Sequence, residues 1–276
     1  MRREEIRNRM RRFYLTSEVY LGFLRRHDEG YLRPYVDLVS AFADPGELIL
    51  ELGCGNGLSS MMLARKGYRV VGTDLSPFFL AESSRWIGPD LSYIACDALE
   101  LPFKDESFDL VCSNELIEHL PDVKLGLDEM MRVVKPGGRI VIVGPNLCSP
   151  ILPLMDLIKK ALGRHDEIVW AGSIGEGLKL CLKNLFLSIG KRLSARPRFI
   201  YREPDLDDKV IGGDSDSSYL ASPIDLERYF KLRGFRIERL CVGVGVKGRI
   251  MARIMPRMGL YISMVFKKPH KAGDRV

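Results

Sequence analysis

Between residues 48 and 143, short apolar runs alternate with stretches whose apolar residues recur at helical spacing. The runs at 48–52, 69–73, 91–96, 108–113 and 139–143 are short, apolar and bounded by turn residues, so each predicts a strand. A helix through Met61 and Arg65 follows the first, and Lys66-Gly67 ends it as a glycine at a C-cap would. Ser76-Pro77 starts the next helix, with serine as N-cap and proline in the first turn. A third helix is predicted over 122–134, stopped by Lys135-Pro136-Gly137-Gly138. Strands alternating with helices in this way predict a parallel sheet covered on both faces, with right-handed crossovers.

The flanks have other patterns. Residues 1–44 read as helical and basic, with Arg7, Arg9, Arg11 and Arg12 ahead of Tyr20, Leu21, Phe23 and Leu24. Tyr35, Val36, Leu38 and Val39 continue the helical spacing, and Asp44-Pro45-Gly46 is a turn. Beyond 145 the α/β rhythm breaks. Two amphipathic stretches, 151–162 and 178–193, carry lysines on one side, and a polar loop spans 205–218. Ser222-Pro223 starts a helix over 224–233, Gly234 ends it, and 235–242 and 260–266 read as closing strands. The chain divides into an N-terminal helical segment (1–44), an α/β core (45–145), an insertion after the fifth strand (146–220) and a closing helix with strands (221–276).

Composition adds little. Hydrophobic residues make up 46% and charged residues 28%, as in ordinary globular chains. The net charge of +6 favours anionic partners but is small enough to be solubility charge. Within 151–203, ten lysines and arginines face five acids. Such basic amphipathic helices suit an anionic membrane surface, and a solvated face is the simpler reading. The six cysteines are scattered without a CxxC pair, so neither zinc nor a disulfide framework is expected. The N-terminus lacks the apolar stretch of a signal peptide. The longest charge-free run, 140–155, is broken by Pro145, Pro150 and Pro153, so no membrane-spanning helix is expected. A cytoplasmic protein, with peripheral membrane contact through the insertion, is the expectation.

The chemistry concentrates at strand ends. Glu51-Leu52-Gly53-Cys54-Gly55-Asn56-Gly57 lies where the first strand turns into a helix, and glycines there let backbone approach a ligand. Asp74 ends the second strand, placed to accept both hydroxyl protons of a ribose. Asp97, followed by Ala98, ends the third, where an acid can receive the exocyclic amine of an adenine. One strand-end aspartate is commonly a turn residue. Glycines, an acid and an acid on three successive strand ends are better explained by a ligand shelf. A nicotinamide site would need GxGxxG, but here the third glycine comes one place early, with Leu58 at the expected position.

These segments resemble the motifs of the class I S-adenosylmethionine-dependent methyltransferases. The first is Leu50-Glu51-Leu52-Gly53-Cys54-Gly55-Asn56-Gly57. Val71-Gly72-Thr73-Asp74-Leu75-Ser76, Cys96-Asp97-Ala98, the run 108–115 and Arg132-Val133-Val134-Lys135-Pro136-Gly137-Gly138 also match. The similarity is greatest to the broad group that includes ubiquinone and menaquinone methyltransferases. It implies a Rossmann-like, doubly wound, seven-stranded sheet with an antiparallel last strand and a helical insertion after the fifth. It implies S-adenosylmethionine as cofactor. Glu51, Gly53 and Gly55 would border its methionine part. Asp74 would hold the ribose with Leu75 beside it. Asp97 and Ala98 would meet the adenine, and Asn114 would lie close to the transferred methyl.

The acceptor is less defined. O-methylation of a small-molecule, lipid-linked or sugar-linked acceptor is the leading expectation, and a non-catalytic cofactor-binding module is the alternative. Ser113-Asn114-Glu115-Leu116 stands where nucleic-acid amino-methyltransferases carry (Asp/Asn)-Pro-Pro-aromatic, so no nucleic-acid partner is expected. Glu115-Leu116-Ile117-Glu118-His119 resembles the metal-binding segment of some metal-dependent O-methyltransferases. It lacks a downstream histidine in a matching motif, His165 and His270 being the only later ones. The expectation is therefore the start of a helix with no metal, and His119 as a candidate general base. Residues 212–219 read as a flexible loop in which Asp214, Asp216 and Tyr219 are candidates for binding acceptor hydroxyls. The insertion is expected to cap the active site. Oligomeric state is not legible.

Overall fold

The computed structural model describes residues 3–161, 173–207, 214–240, 250, 253 and 257–270. The segment before the sheet is three helices: α1 (Arg3–Thr16), α2 (Glu18–Leu24) and α3 (Glu29–Ser40). The breaks fall at Ser17 and Asp28, whose side chains accept the backbone N–H of Tyr20 and Tyr31 and so cap α2 and α3. The core follows as β1 (Leu48–Leu52), α4 (Leu58–Arg65), β2 (Arg69–Asp74), α5 (Pro77–Leu80), β3 (Leu91–Ala95), β4 (Phe108–Asn114), α6 (Val123–Val133) and β5 (Val134–Pro145). Then come α7 (Ile151–Ala161), α8 (Ile174–Leu193), α9 (Pro223–Lys231), β6 (Arg236–Arg239) and β7 (Tyr261–Lys267).

The sheet order is β3-β2-β1-β4-β5-β7-β6, with β7 antiparallel to both neighbours and the first five strands parallel. Side chains alternate across it. Ile49, Leu110, Cys112, Val141 and Val265 face the layer of α3 and α4, packing with Val36, Val39 and Leu63. Leu50, Leu52, Val111, Ile140, Ile142 and Phe266 face α6 and α9, where Phe230 stacks on Phe266 at 3.8 Å between ring centroids. The central strands β1 and β4 are buried on both faces, which is why they read as unbroken apolar runs, whereas the edge strands β3 and β6 are largely exposed or half-buried.

Four local expectations change. Lys135-Pro136-Gly137-Gly138 lies inside β5, which starts directly at the end of α6. Val134 already pairs with Phe108, and the ladder shifts register before Leu110 meets Arg139. The helix after Ser76-Pro77 tightens into a 3₁₀ turn over Ala81–Trp86. Residues 115–119 form no α-helical start but a 3₁₀ turn at Ile117–His119. The amphipathic stretch expected from 178 begins four residues earlier, because Ser173 and Glu176 form a capping box. Leu162, His165, Gly212, Gly213 and residues 241 and 242 of the expected strand lie outside the described residues. Among those described, no helix is long and apolar enough to cross a membrane.

Candidate active site

Strand order reverses between β1 and β4, and ligands of open α/β sheets bind at that switch beyond the carboxyl ends of the strands. There the structure holds a cavity of about 450 Å³, within the size range of small-molecule sites. Glu51, Gly53, Gly55, Asp74, Leu75, Asp97, Ala98, Asn114, Glu115, His119, Asp214 and Asp216 all line it. Glu118 and Tyr219 are not among its lining residues.

The glycine loop is held from below. Ser60 on α4 donates to Glu51 Oε2 at 2.5 Å, and Cys54 N–H donates to the Thr73 carbonyl at 2.9 Å. Gly53 and Gly55 have φ of +67° and +56°, in the left-handed region. A Cβ at Gly53 would lie 2.8 Å from Leu116 Cδ1, and one at Gly55 3.2 Å from Leu24. The loop therefore requires glycine both for conformation and for space. Asp74 accepts Gly55 N–H on Oδ2 and Ser76 N–H on Oδ1, each at 2.9 Å. Desolvation nonetheless pushes its carboxyl up to about 6. Asp97 accepts Leu99 N–H on Oδ1, and Arg7 of α1 donates to its Oδ2 at 2.7 Å.

The opposite wall is one that the sequence reading missed. Arg7, Met10, Arg11, Tyr14, Tyr20, Phe23, Leu24 and Tyr31 from α1–α3, with Arg26 and His27 from the turn before α3, line the cavity, whereas α7 supplies Leu152. The N-terminal helices thus form most of the cover expected of the insertion. Their signal in sequence was the density of aromatic residues among arginines, read there only as a helical pattern. Tyr14 and Tyr20 meet edge to face at 5.1 Å, and Tyr20 stacks on Phe79 at 5.6 Å.

A polar cluster closes the far end. Tyr14 donates its hydroxyl proton to Asp216 Oδ2 at 2.8 Å, and His119 Nδ1 lies 3.1 Å from the Tyr14 oxygen and 3.3 Å from Asp216 Oδ2. Glu115 and Asp214 both adopt left-handed φ, +50° and +54°, uncommon for residues with a side chain and held by their surroundings. Glu115 N–H donates to the Val143 carbonyl, and Arg202 donates to the Asp214 carbonyl and, at 2.5 Å, to Ser217 Oγ. Burial, with Asp214 nearby, pushes the Glu115 carboxyl up to about 8. Glu118 is fully buried beneath this cluster, and the same burial and neighbouring acids raise its carboxyl well above the usual range. Of the acceptor-loop candidates, Asp214 and Asp216 reach the cavity. Tyr219 is buried behind it, its hydroxyl donating to Asp225 Oδ2 at 3.2 Å, because β-like pairing with Tyr201 turns its side chain into the core.

Comparison with known proteins agrees with this architecture. Residues 50–142 match the family model described as "Methyltransferase domain". The chain is 41% identical over 133 residues to demethylmenaquinone methyltransferase of Beutenbergia cavernae, covering 48% of this chain and 52% of that one. It is 36% identical over 147 residues to 2-methyl-6-phytyl-1,4-hydroquinone methyltransferase of Synechocystis sp., covering 49% and 46%. The chain thus spans about half the length of the curated relatives it matches. Its fold is similar to that of an S-adenosylmethionine-dependent methyltransferase from Mesorhizobium loti, with a TM-score of 0.53, 17% identity and coverage of 84% of this chain and 96% of that one. A second such structure, from Methanosarcina mazei, has a TM-score of 0.51 and 19% identity, covering 85% and 98%.

Proposed function

We propose that this chain, which belongs through residues 50–142 to the class I S-adenosylmethionine-dependent methyltransferases, methylates an oxygen of a ring-hydroxyl acceptor carried on an apolar tail. The observation that carries the reading is the meeting of three strand ends, at Gly53, Asp74 and Asp97, on the wall of one cavity roofed by tyrosines. These residues fit the cofactor. The loop that bears Gly53 and Gly55 brings its backbone to the cavity wall. Each Asp74 oxygen uses one lone pair on a backbone N–H and keeps the other for a ribose hydroxyl. When bound, S-adenosylmethionine supplies an activated methyl on a positively charged sulfur. The aromatic rings of Tyr14 and Tyr20 on the cavity wall suit positive charge in that space.

The chain's work is then alignment and proton removal. Alignment of nucleophile, methyl carbon and sulfur accounts for much of the rate in such a transfer. His119, held at Nδ1 by Tyr14 and Asp216, is placed to take the acceptor proton. The acceptors named for two relatives, demethylmenaquinone and a phytyl hydroquinone, support a quinone-type ring on an apolar tail; the choice of oxygen rests on the base that His119 offers. So does the outer surface of the insertion. Ile174, Leu178, Leu182, Phe186, Ile189 and Leu193 form an exposed apolar stripe along α8, flanked by exposed Lys179, Lys183 and Arg192. A basic, apolar helix face of this kind suits an anionic lipid surface, where a tailed acceptor would reside.

Calorimetric titration with S-adenosylmethionine, followed by labelled-methyl transfer to a panel of hydroquinones and NMR of the product, tests the reading. Saturable binding, weakened in Asp74→Ala, and an O-methyl product are expected. A ring-carbon methyl product would overturn the choice of oxygen. Absence of cofactor binding would overturn the whole assignment.

A further inference from the structure

We propose that Glu118, His119 and Asp214 bind a divalent cation at the acceptor end of the cavity. The inference rests on the reading of that cavity as a methyl-transfer site for its purpose, but not for its geometry. One atom from each residue lies within 4.8 Å of the others, whereas Glu115 is outside that set. The downstream ligand that the sequence pattern lacked is thus an aspartate, brought in by the strained turn after residue 213 and fixed through its carbonyl by Arg202.

The decisive feature is a surplus of acceptors. Glu118 is fully buried, and neither of its carboxylate oxygens has a hydrogen-bond donor. Its Oε1 lies 3.8 Å from His119 Nε2. On the other side of the ring, Tyr14 gives its only proton to Asp216, so both groups near His119 Nδ1 accept there. Nδ1 therefore carries the ring proton, and Nε2 directs a lone pair towards Glu118. A histidine oriented at one nitrogen by a carboxylate and free at the other is the arrangement of metal-ligating histidines. Two carboxyl groups and an imidazole lone pair thus converge, and no protein N–H or O–H is donated to the Glu118 oxygens. Leaving a buried carboxylate without a partner is expensive, and a cation removes that cost.

The size of the cluster suits an ion. With bonds of ~2.1 Å, ligands across a cation lie ~4.2 Å apart and adjacent ones ~3 Å, so a trio within 4.8 Å would close by about 1–2 Å on binding an ion. A set of one nitrogen and two carboxylates suits Mn²⁺, which accepts both donor types. His119 and Asp214 line the cavity while Glu118 sits behind them, so open coordination positions face the acceptor. With the ion bound, His119 Nε2 would be a ligand rather than the base; a hydroxyl bound beside it would be acidified by the ion and would pass its proton to the Glu115 carboxylate on the cavity wall or to solvent.

The test uses the full chain, treated with chelator and desalted. Mn²⁺ titration followed by electron paramagnetic resonance should show one bound ion per chain. Affinity should fall about tenfold or more in Glu118→Gln and in Asp214→Asn. Added Mn²⁺ should raise the melting temperature of the parent chain but not of Glu118→Gln, and metal-free Glu118→Gln should melt no lower than the parent. Equal Mn²⁺ binding by parent and both variants, or none, overturns the site. Glu118-dependent binding of an alkylammonium in place of Mn²⁺ would also overturn it, marking an amine subsite. Calorimetry with S-adenosylmethionine on the same metal-free protein separates the two readings: retained cofactor binding with lost metal binding sinks only the metal site.

Discussion

The proposed cofactor site uses Asp74 as an acceptor, yet its carboxyl is held where ionisation is disfavoured. Two backbone N–H groups stabilise its carboxylate, and desolvation outweighs them, leaving its titration at about 6 rather than 3.8. The sign of the effect on folding follows. The native state holds the proton more tightly, so stability declines as pH rises from 3.8 to about 6, then levels. Cofactor affinity should move the other way, because ribose hydroxyls require the ionised acceptor. Affinity is expected to be flat above about pH 6 and to fall up to about tenfold per pH unit below it. Calorimetric titration across that range checks this. In Asp74→Asn the profile should flatten and the affinity be lower throughout; an unchanged slope would assign the titration to another group. Asp74 and Asp97 were legible because a strand end announces itself locally. Glu118 stood out only within the Glu115–His119 pattern, and its company with Asp214 was not legible, since the fold alone brings the two together. Tyr219 misled because a tyrosine amid serines and aspartates looks solvent-facing until its pairing with Tyr201 is known.

At the scale of elements, α8 depends on one buried ion pair. Lys191 is 1% exposed and donates to Asp225 on α9, which is wholly buried, and to the Arg198 carbonyl. Asp225 also accepts from Tyr219 and from Arg198 N–H. This network pins the end of the insertion to the core. Removing the lysine leaves a buried carboxylate uncompensated, so Lys191→Met should destabilise the fold by about 3–5 kcal/mol. Denaturant unfolding measures this, and Lys191→Met with Asp225→Leu should recover much of the loss. A single variant as stable as the parent would show that water reaches Asp225. The first four strands were legible because each is short, largely apolar and bounded by turn residues; the order β3-β2-β1-β4-β5-β7-β6 was not, since it is set by long-range pairing. The start of β5 was not. Lys135-Pro136-Gly137-Gly138 has the chemistry of a turn, and the pairing of Val134 with Phe108 overrides it by carrying the strand through a register shift. Helix boundaries at Ser17, Asp28 and Ser173 could have been found from their capping residues alone.

Across the whole molecule, cover and contact surface separate. The N-terminal helices roof the cavity, while α7 and α8 carry an apolar face outward. Phe186 is 69% exposed and Leu193 83%, an unusual exposure for adjacent turns of a helix that is otherwise anchored. The lysines beside them rule out a simple core-facing role and match the phosphates of an anionic surface. Burying each large apolar side chain in lipid is worth about 2 kcal/mol, a factor of about 30 in affinity. Leu182→Asp with Phe186→Asp should therefore weaken binding to vesicles of anionic phospholipid more than about a hundredfold, without lowering thermal stability. Turnover of a lipid-tailed acceptor should fall with it, while transfer to a short-chain, water-soluble analogue should persist, since neither residue touches the cavity. Vesicle co-sedimentation and paired activity assays read both arms. Equal loss for tailed and untailed acceptors would mean that the stripe supports the active site rather than the membrane, and undiminished vesicle binding would remove α8 from the interface.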